Sequence, residues 1–441
     1  MGSKRGTRHA LLLVMLGMLM VWAAACSGSG SGGNAPEASG SASPTADGGT
    51  ETKDITLQFW TIALQPKFND FFNNLIAEYE KSHPGVKIDW KDFPLDAIQS
   101  KLLATAAGGS APDVVNLNTE FANQLASKEA LADLTDLVND DVKNSFFEGI
   151  FNSTVFDGKP YALPWYTGTQ VLYMNTRLVK EAGLDPANPP KTKEELYEWG
   201  RQIKAKTGAA GYATQFSANL FPSEGVPILD ADRSKPAFNT EEAIAVVNNL
   251  KKLIEEGVIV KDDAPFDKQI QYYSSEQVAF ELSGPSFINF LKTSAPNVYE
   301  NTVAVPLPTG KADLRYSNSM NLVVPKGSKN PQDAADFAAF VTNTANQTAF
   351  SKSSNTLPST KESIQDPFFS QSDNTLESQA KIASAQSLDK AQEYYLGVPN
   401  ASDINKAINT ELQKILLDGG DTKAGLDAAA KQVESILANG S

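Results

Sequence analysis

The side chains that most often carry covalent or metal chemistry are scarce in this 441-residue chain, which has two histidines and one cysteine. Only His83 lies past the first fifty residues, in the turn-like string Lys81-Ser82-His83-Pro84-Gly85. Histidine-dependent catalysis and multi-histidine zinc sites are therefore nearly excluded. With Cys26 alone, disulfides and thiolate metal sites are not expected either. Carboxylates are plentiful, Asp and Glu numbering 52, so acid–base work by a carboxylate pair stays open. Some aromatic and polar residues also sit where a core has no evident need of them. Trp60 closes a run whose apolar residues are Ile55, Leu57 and Phe59, and is out of phase with them. Pro164 disfavours a helix across Leu163 to Gln170, and adjacent rings on an extended segment point to opposite sides. At least one of Trp165 and Tyr166 is thus expected to face away from the core.

The elements that must hold these residues alternate between strand and helix, the pattern of an α/β fold. Ile55, Leu57 and Phe59 give a first strand. Phe68, Phe71, Phe72, Leu75, Ile76 and Tyr79 recur at helical spacing from Pro66 to the His83-Pro84-Gly85 stop, and Val86, Ile88 and Trp90 give a second strand. A strand, helix and strand in that order make one crossover unit of a parallel sheet. Leu102 to Ala107 reads as a helix, and Val114 to Leu117 as a strand with Asp113 at its head and Asn116, Asn118, Glu120 and Phe121 leaving its far end. Further strands are expected at Val171 to Asn175, Ala210 to Thr214, Val278 to Leu282, Thr302 to Val305 and Met320 to Val324. Thr192 with Glu195 forms a capping box, and Thr240 caps a helix that runs to Gly257. Two amphipathic helices end the chain.

The first fifty-three residues stand outside this pattern. Lys4, Arg5 and Arg8 precede the uncharged run Ala10 to Ala25, which reads as a secretory signal too short to span a bilayer. Ala23-Ala24-Ala25-Cys26 resembles the lipobox of bacterial lipoproteins, with Ala23 in place of the usual leucine. The resemblance implies lipidation of Cys26. The tract from Ser27 to Lys53 is almost all Ser, Gly, Ala, Thr and Pro, a tether that cannot join a core. Without the three basic residues of the leader the net charge of −14 falls to about −17, so an acidic body is expected to repel nucleic acid and anionic surfaces.

Several segments, in order, resemble the family 1 extracellular solute-binding proteins, the maltose-binding-protein-like group. They are Leu57-Gln58-Phe59-Trp60, Tyr79 to Ile88, Gly108 to Val115, Asp157 to Pro164 with Leu172-Tyr173-Met174-Asn175, Val278 to Pro285, and Val324 to Pro331. The resemblance implies a two-lobed, periplasmic-binding-protein-like α/β fold with a central ligand cleft and hinge crossings. Its lobes are expected at 54–166 with 310–350, and at 167–309 with 351–441. The implied ligand is a mono- or oligosaccharide, whose C–H faces pack on aromatic rings and whose hydroxyls need donors and acceptors. Trp60, Asp113, Asn118, Glu120, Trp165 and Tyr166 are the candidates from the first lobe and hinge. Phe216, Asn219, Phe287, Asn318 and Asn321 are those from the second lobe and the returning strand. Phe287 follows Ser283-Gly284-Pro285, after which the family commonly presents a tryptophan and this chain has Ser286 and Phe287 instead, and Tyr394 and Tyr395 are weaker candidates.

The same resemblance implies a protein that hands its ligand to the permease subunits of an ABC importer; a monomer without a cofactor is expected, nothing in the chain points to a metal, and an oxygen-only calcium site stays open. The protein would act at the extracytoplasmic face of the cell membrane. A surface-anchored glycoside hydrolase and a non-transport receptor of the same fold stay open as alternatives.

Overall fold

The computed structural model describes residues 54–439, so the leader, the Cys26 anchor and the 26–53 tether expected above lie outside the described residues. The period-two run at the start becomes strand Ile55–Ile62. Phe72, Leu75 and Tyr79 form the buried stripe of helix Asn69–Ser82, and strand Val86–Phe93 follows. Ile55 pairs with Val86 and Ile62 with Phe93 in parallel, as a crossover unit requires. Helix Leu95–Ala107 leads to strand Val114–Asn118, parallel to the other side of the first strand. Strand Arg315–Val323 is inserted antiparallel between Val114–Asn118 and Ala162–Thr169. Leu357–Pro358 and Ala391–Gln392 add short pairings to complete seven strands.

Both faces of this sheet are covered, as sheets built on parallel crossovers must be. Leu57 and Phe59 pack with Phe72, Trp165 and Phe337 on one side, and Trp60 and Ile62 with Ile98, Leu102 and Phe121 on the other. This corrects the reading of Trp60. Being out of phase with Phe59 moves it to the second core rather than into a cleft, and it is 5% exposed with its ring 4.8 Å from Phe93.

A bulge governs the neighbouring aromatic pair. Met320 pairs with Tyr166 and Asn321 with Pro164, leaving Trp165 as the extra residue. Alternation fails at that point, so consecutive rings both pack on Phe350, at 5.1 Å and 5.3 Å. Trp165 is 1% exposed and Tyr166 half-buried, and the expectation that alternation turns one ring outward is corrected accordingly.

The second lobe is centred on strand Val171–Asn175, flanked antiparallel by Phe280–Ser283 and Thr302–Pro306. Beside it run the parallel strands Tyr212–Thr214 and Ile259–Asp263. Helices Glu241–Glu255, Ala401–Leu417 and Thr422–Asn439 close one core over Leu172 and Phe216, while Tyr173, Tyr273, Phe287 and Leu291 belong to the other. Thr192 and Thr240 cap their helices as read, accepting from the amides of Glu195 and Ala243 at 3.2 Å and 3.3 Å. The stretch 351–391, expected with the second lobe, is held by both. Phe369 and Leu388 pack with Phe147 and Ile150, and Leu376, Ala380 and Ala383 with Tyr173 and Phe287.

Glu281 lies in strand Phe280–Ser283, opposite Tyr173, fully buried and with neither carboxylate oxygen hydrogen-bonded. Burial alone pushes its carboxyl up to about 8. A folded value above the unfolded one means that the native state binds the extra proton. This contribution to stability is complete below about pH 4.5 and is lost as pH rises through about 8. Against Glu281→Gln, the wild-type unfolding free energy is expected to fall by up to about 1.4 kcal/mol per pH unit across this window. Parallel urea curves for the two proteins at each pH would contradict a protonated Glu281.

Candidate functional site

Strand Val114–Asn118 ends in a cap. Asn118 Oδ1 accepts from the Phe121 amide at 2.9 Å and starts helix Thr119–Ser127, whose first turn presents Glu120 to solvent. Facing this helix is the segment that follows Ala391–Gln392, carrying Glu393, Tyr394 and Tyr395 before Val398 and Ala401 enter the core of the second lobe. Between the two lies a hollow of about 200 Å³, lined on one side by Gln99, Asn118, Glu120, Phe121 and Gln124. Tyr395, Val398, Pro399, Ala401 and Ser402 line the other. Larger hollows, of about 420 Å³ beside Asn73 and Trp90 and about 590 Å³ beside Arg177 and Tyr272, are each lined by one lobe alone. Neither lies where the lobes meet.

Tyrosines form the aromatic part of the junction. Tyr316, on the crossing strand, lies 5.4 Å from Tyr394 ring to ring. Burial pushes the hydroxyls of Tyr394 and Tyr395 up to about 12, with Glu120 adding to the effect at Tyr395 and Arg233 opposing it. Both therefore stay neutral near pH 7 and can donate as well as accept. Arg233 sits at φ 55 in a turn held by Asp230, whose Oδ1 accepts from the amides of Ser234 and Lys235 at 2.7 Å and 3.0 Å. Its Nη1 donates to the Gly397 carbonyl at 3.2 Å, and its guanidinium lies 6.0 Å from the Phe156 ring on the first lobe. Gly397 suits this turn because its φ of 68 lies in the left-handed region, and a Cβ there would push the Arg233 guanidinium aside.

Of the residues singled out in the sequence, Asn118, Glu120 and Phe121 line this hollow together with the weaker candidate Tyr395. Asn318 is exposed on the crossing strand, and Asn219 is exposed in the turn Ala218–Leu220. The others serve the framework. Asp113 accepts from the Gln58 amide at 2.9 Å and from Ser328 Oγ at 2.6 Å, tying the strand Ile55–Ile62 to the loop at Ser328 beyond the far end of its own strand. Asn321 is buried and donates to Thr119 Oγ1 at 2.8 Å. Phe216 is a core residue of the second lobe. Phe287 is too, because it opens helix Phe287–Ser294 and points inward with Ile288 and Leu291, its ring 4.8 Å from Tyr173. The exposed neighbour at this turn is Ser286.

Tyr316, Glu393, Arg233, Gln99 and Gln124 were missed. The signal for Tyr316 was a run of alternation, Tyr316, Asn318 and Met320 against buried Ser317, Ser319 and Asn321. It is hidden because the buried members are polar. For Arg233, Gln99 and Gln124 no pattern in the chain marks the position.

The junction can hydrogen-bond a polar solute through amides, a carboxylate and phenols, and offers ring faces for its apolar side. Among the described residues no group of three His, Cys, Asp or Glu could hold a metal ion, and no helix is long and apolar enough to cross a membrane.

A two-lobed α/β body whose strand ends meet around such a hollow defines a solute-binding protein of the periplasmic type. The family model for bacterial extracellular solute-binding proteins matches residues 74–377, and the chain belongs to that family. It is 25% identical over 302 residues to an arabinooligosaccharide-binding protein of Halalkalibacterium halodurans, spanning 64% of this chain and 66% of that one. Identity is likewise 25% over 313 residues to a diacetylchitobiose binding protein of Streptomyces coelicolor, spanning 67% and 71%. A periplasmic-binding protein of Synechococcus sp. MITs9220 superposes with a TM-score of 0.77 and 29% identity, covering 87% of this chain and 99% of that one. These relatives bind solutes and are not enzymes, and the chain is a binding protein in the same sense.

The geometry separates residues that line the hollow from residues of the framework. Glu120→Gln and Tyr395→Ala are expected to weaken ligand binding about tenfold or more, by about 1.4 kcal/mol, with little change in melting temperature. Trp165→Ala should instead cost about 3–5 kcal/mol of stability, and Asp113→Ala about 1–3 kcal/mol. Calorimetric titration paired with urea unfolding reads both. A Trp165→Ala protein of wild-type stability, or a Glu120→Gln protein of wild-type affinity, would overturn the assignment.

Proposed function

We propose that the protein captures a mono- or oligosaccharide between its lobes and delivers it to the permease subunits of an ABC importer, held at the extracytoplasmic face of the membrane by a lipid on Cys26. The observation that carries this reading is the convergence of Asn118, Glu120, Gln99 and Gln124 with Tyr395 on one hollow, beside the Tyr316 and Tyr394 rings. Amides and a carboxylate suit hydroxyl groups, and tyrosine faces suit the C–H side of a sugar ring. The named ligands of the two relatives above support the class and argue against choosing one sugar, since equal identity accompanies an arabinooligosaccharide in one and diacetylchitobiose in the other.

At about 200 Å³ the hollow is smaller than the roughly 300 Å³ at the low end of small-molecule sites. Seating even a short oligosaccharide therefore requires the lobes to part and close again, a population shift in which the ligand favours the closed form. A monomer suffices for this mechanism, and no group in it needs a metal or cofactor.

A thermal-shift panel of arabino-, chito- and malto-oligosaccharides with their monosaccharides tests the ligand class. The cognate sugar at a hundred times its dissociation constant should add about 2.7 kcal/mol of stability. Release of shorter products would favour a hydrolase, and silence across the panel would remove the sugar assignment. Cys26→Ser is expected to leave a folded protein in the soluble fraction, and its persistence in the membrane pellet would argue against anchoring at this residue.

A further inference from the structure

Glu393 stands behind the hollow at the point where three chain segments meet. Its Oε1 accepts from the Ser319 amide at 2.7 Å and from Thr119 Oγ1 at 2.9 Å. Ser319 lies on the strand that crosses between the lobes, and Thr119 is the first residue of the helix that carries Glu120 and is capped by Asn118. Glu393 itself immediately precedes Tyr394 and Tyr395. One carboxylate oxygen thus joins the amide and carboxylate wall of the site, the crossing strand and the tyrosine wall. The joint continues inward, since Thr119 Oγ1 also accepts from Asn321 Nδ2 at 2.8 Å. The Ser319 side chain adds to the Ser319 amide and the Thr119 hydroxyl in favouring the charged form of Glu393.

We propose that Glu393 is a positioning residue whose uptake of a proton accompanies closure of the cleft, so that acid favours the closed form and alkali the open one. The proposal rests on the closing-cleft reading given above. Its physical basis is desolvation: bringing the lobes together removes water from a carboxylate that has no cation against it, which disfavours the charged form. By linkage, whatever raises proton affinity on closing makes closure easier at low pH. Burial already pushes the group up to about 7, while the bonds from Ser319 and Thr119 pull the other way.

Other groups near it do not account for such a change close to neutrality. Glu120, on the helix, is exposed. On the crossing strand, burial lowers the Arg315 guanidinium while Asp313 opposes the shift, and Tyr316 is raised by burial and then by Glu393 and Glu120. Tyr394 and Tyr395, on its own segment, stand at about 12.

The test needs no sugar, so its failure is distinguishable from failure of the ligand assignment. Glu78 and Glu255 are exposed, one on a helix of each lobe. In the full chain carrying Cys26→Ser, Glu78→Cys and Glu255→Cys, paired dyes report the distance between lobes by energy transfer from about pH 5 to 9. The expected record is a shorter mean distance in acid, changing with one midpoint near 7. Glu393→Gln, a neutral isostere, should hold the short distance at every pH. Thr119→Val removes a donor to the charged form and should move the midpoint upward. A wild-type distance that ignores pH overturns the proposal. So does a midpoint that persists unchanged in Glu393→Gln, which would assign the titration to another group.

Discussion

The strand Arg315–Val323 is the member on which the junction depends, because it belongs to the first lobe's sheet while its chain arrives from the second. Its ladder sets three positions at once: Met320 against Asn118, Ser319 against Thr167, and Tyr316 against Gln392. A slip of one residue would exchange its two faces, exposing Ser317, Ser319 and Asn321 and burying Tyr316, Asn318 and Met320. The buried face is therefore polar and specific. Ser319 Oγ donates to Thr167 Oγ1 at 2.9 Å, and Asn116 Nδ2 reaches the Asn321 carbonyl at 3.2 Å. Polar pairs of this kind lock register, since an unpaired partner costs more than the bond itself contributes. The placing of Asn118 and Glu120 relative to Tyr316 follows from that register rather than from any contact between them.

Surroundings, not residue type, divide the carboxylates among different tasks. Asp113 is buried but satisfied by an amide and a hydroxyl, so it binds a strand to a loop. Glu281 is buried with no partner, and its protonated form is the one the core tolerates. Glu393 lies between these cases, held by an amide and hydroxyls yet pushed up by burial. Glu120 remains in water at a helix start, where the charge is favoured by the helix dipole and a ligand can reach it.

The same division explains what was legible beforehand. Strand and helix periods in Ile55 to Trp90, and the caps at Thr192 and Thr240, are local features that survive into the fold almost unchanged. Asn118 and Glu120 were readable because a strand end is defined by the apolar run before it. Trp60 and Trp165 were misread for two different reasons. The first assumed one buried face where the sheet has two, and the second assumed regular alternation where a bulge intervenes. Both are decided by partners more than thirty residues away in the chain, and no local pattern announces them. Tyr316 and Glu393 were hidden by the polar inner face of the crossing strand, which has the alternation of a strand without its hydrophobicity. Arg233 depends on a turn whose only sequence mark is a short cluster of polar residues.

The energetics of closure place a bound on what the lobes can do unaided. The contact between Arg233 and the Phe156 ring spans the junction, and a cation over a ring at a partly exposed site contributes about 0.5–1 kcal/mol. The Arg233 bond to Gly397 stays within the second lobe's own segment, so it shapes the guanidinium without favouring closure. Turning a mostly open population into a mostly closed one takes about 5.5 kcal/mol of differential affinity, several times what that cation–ring contact supplies. The balance has to come from groups that gain partners only when the ligand bridges both walls. Glu120 and Asn118 on one wall and Tyr395 on the other are placed to make that gain. Glu393, joined to both walls, is placed to make its size depend on the charge they share.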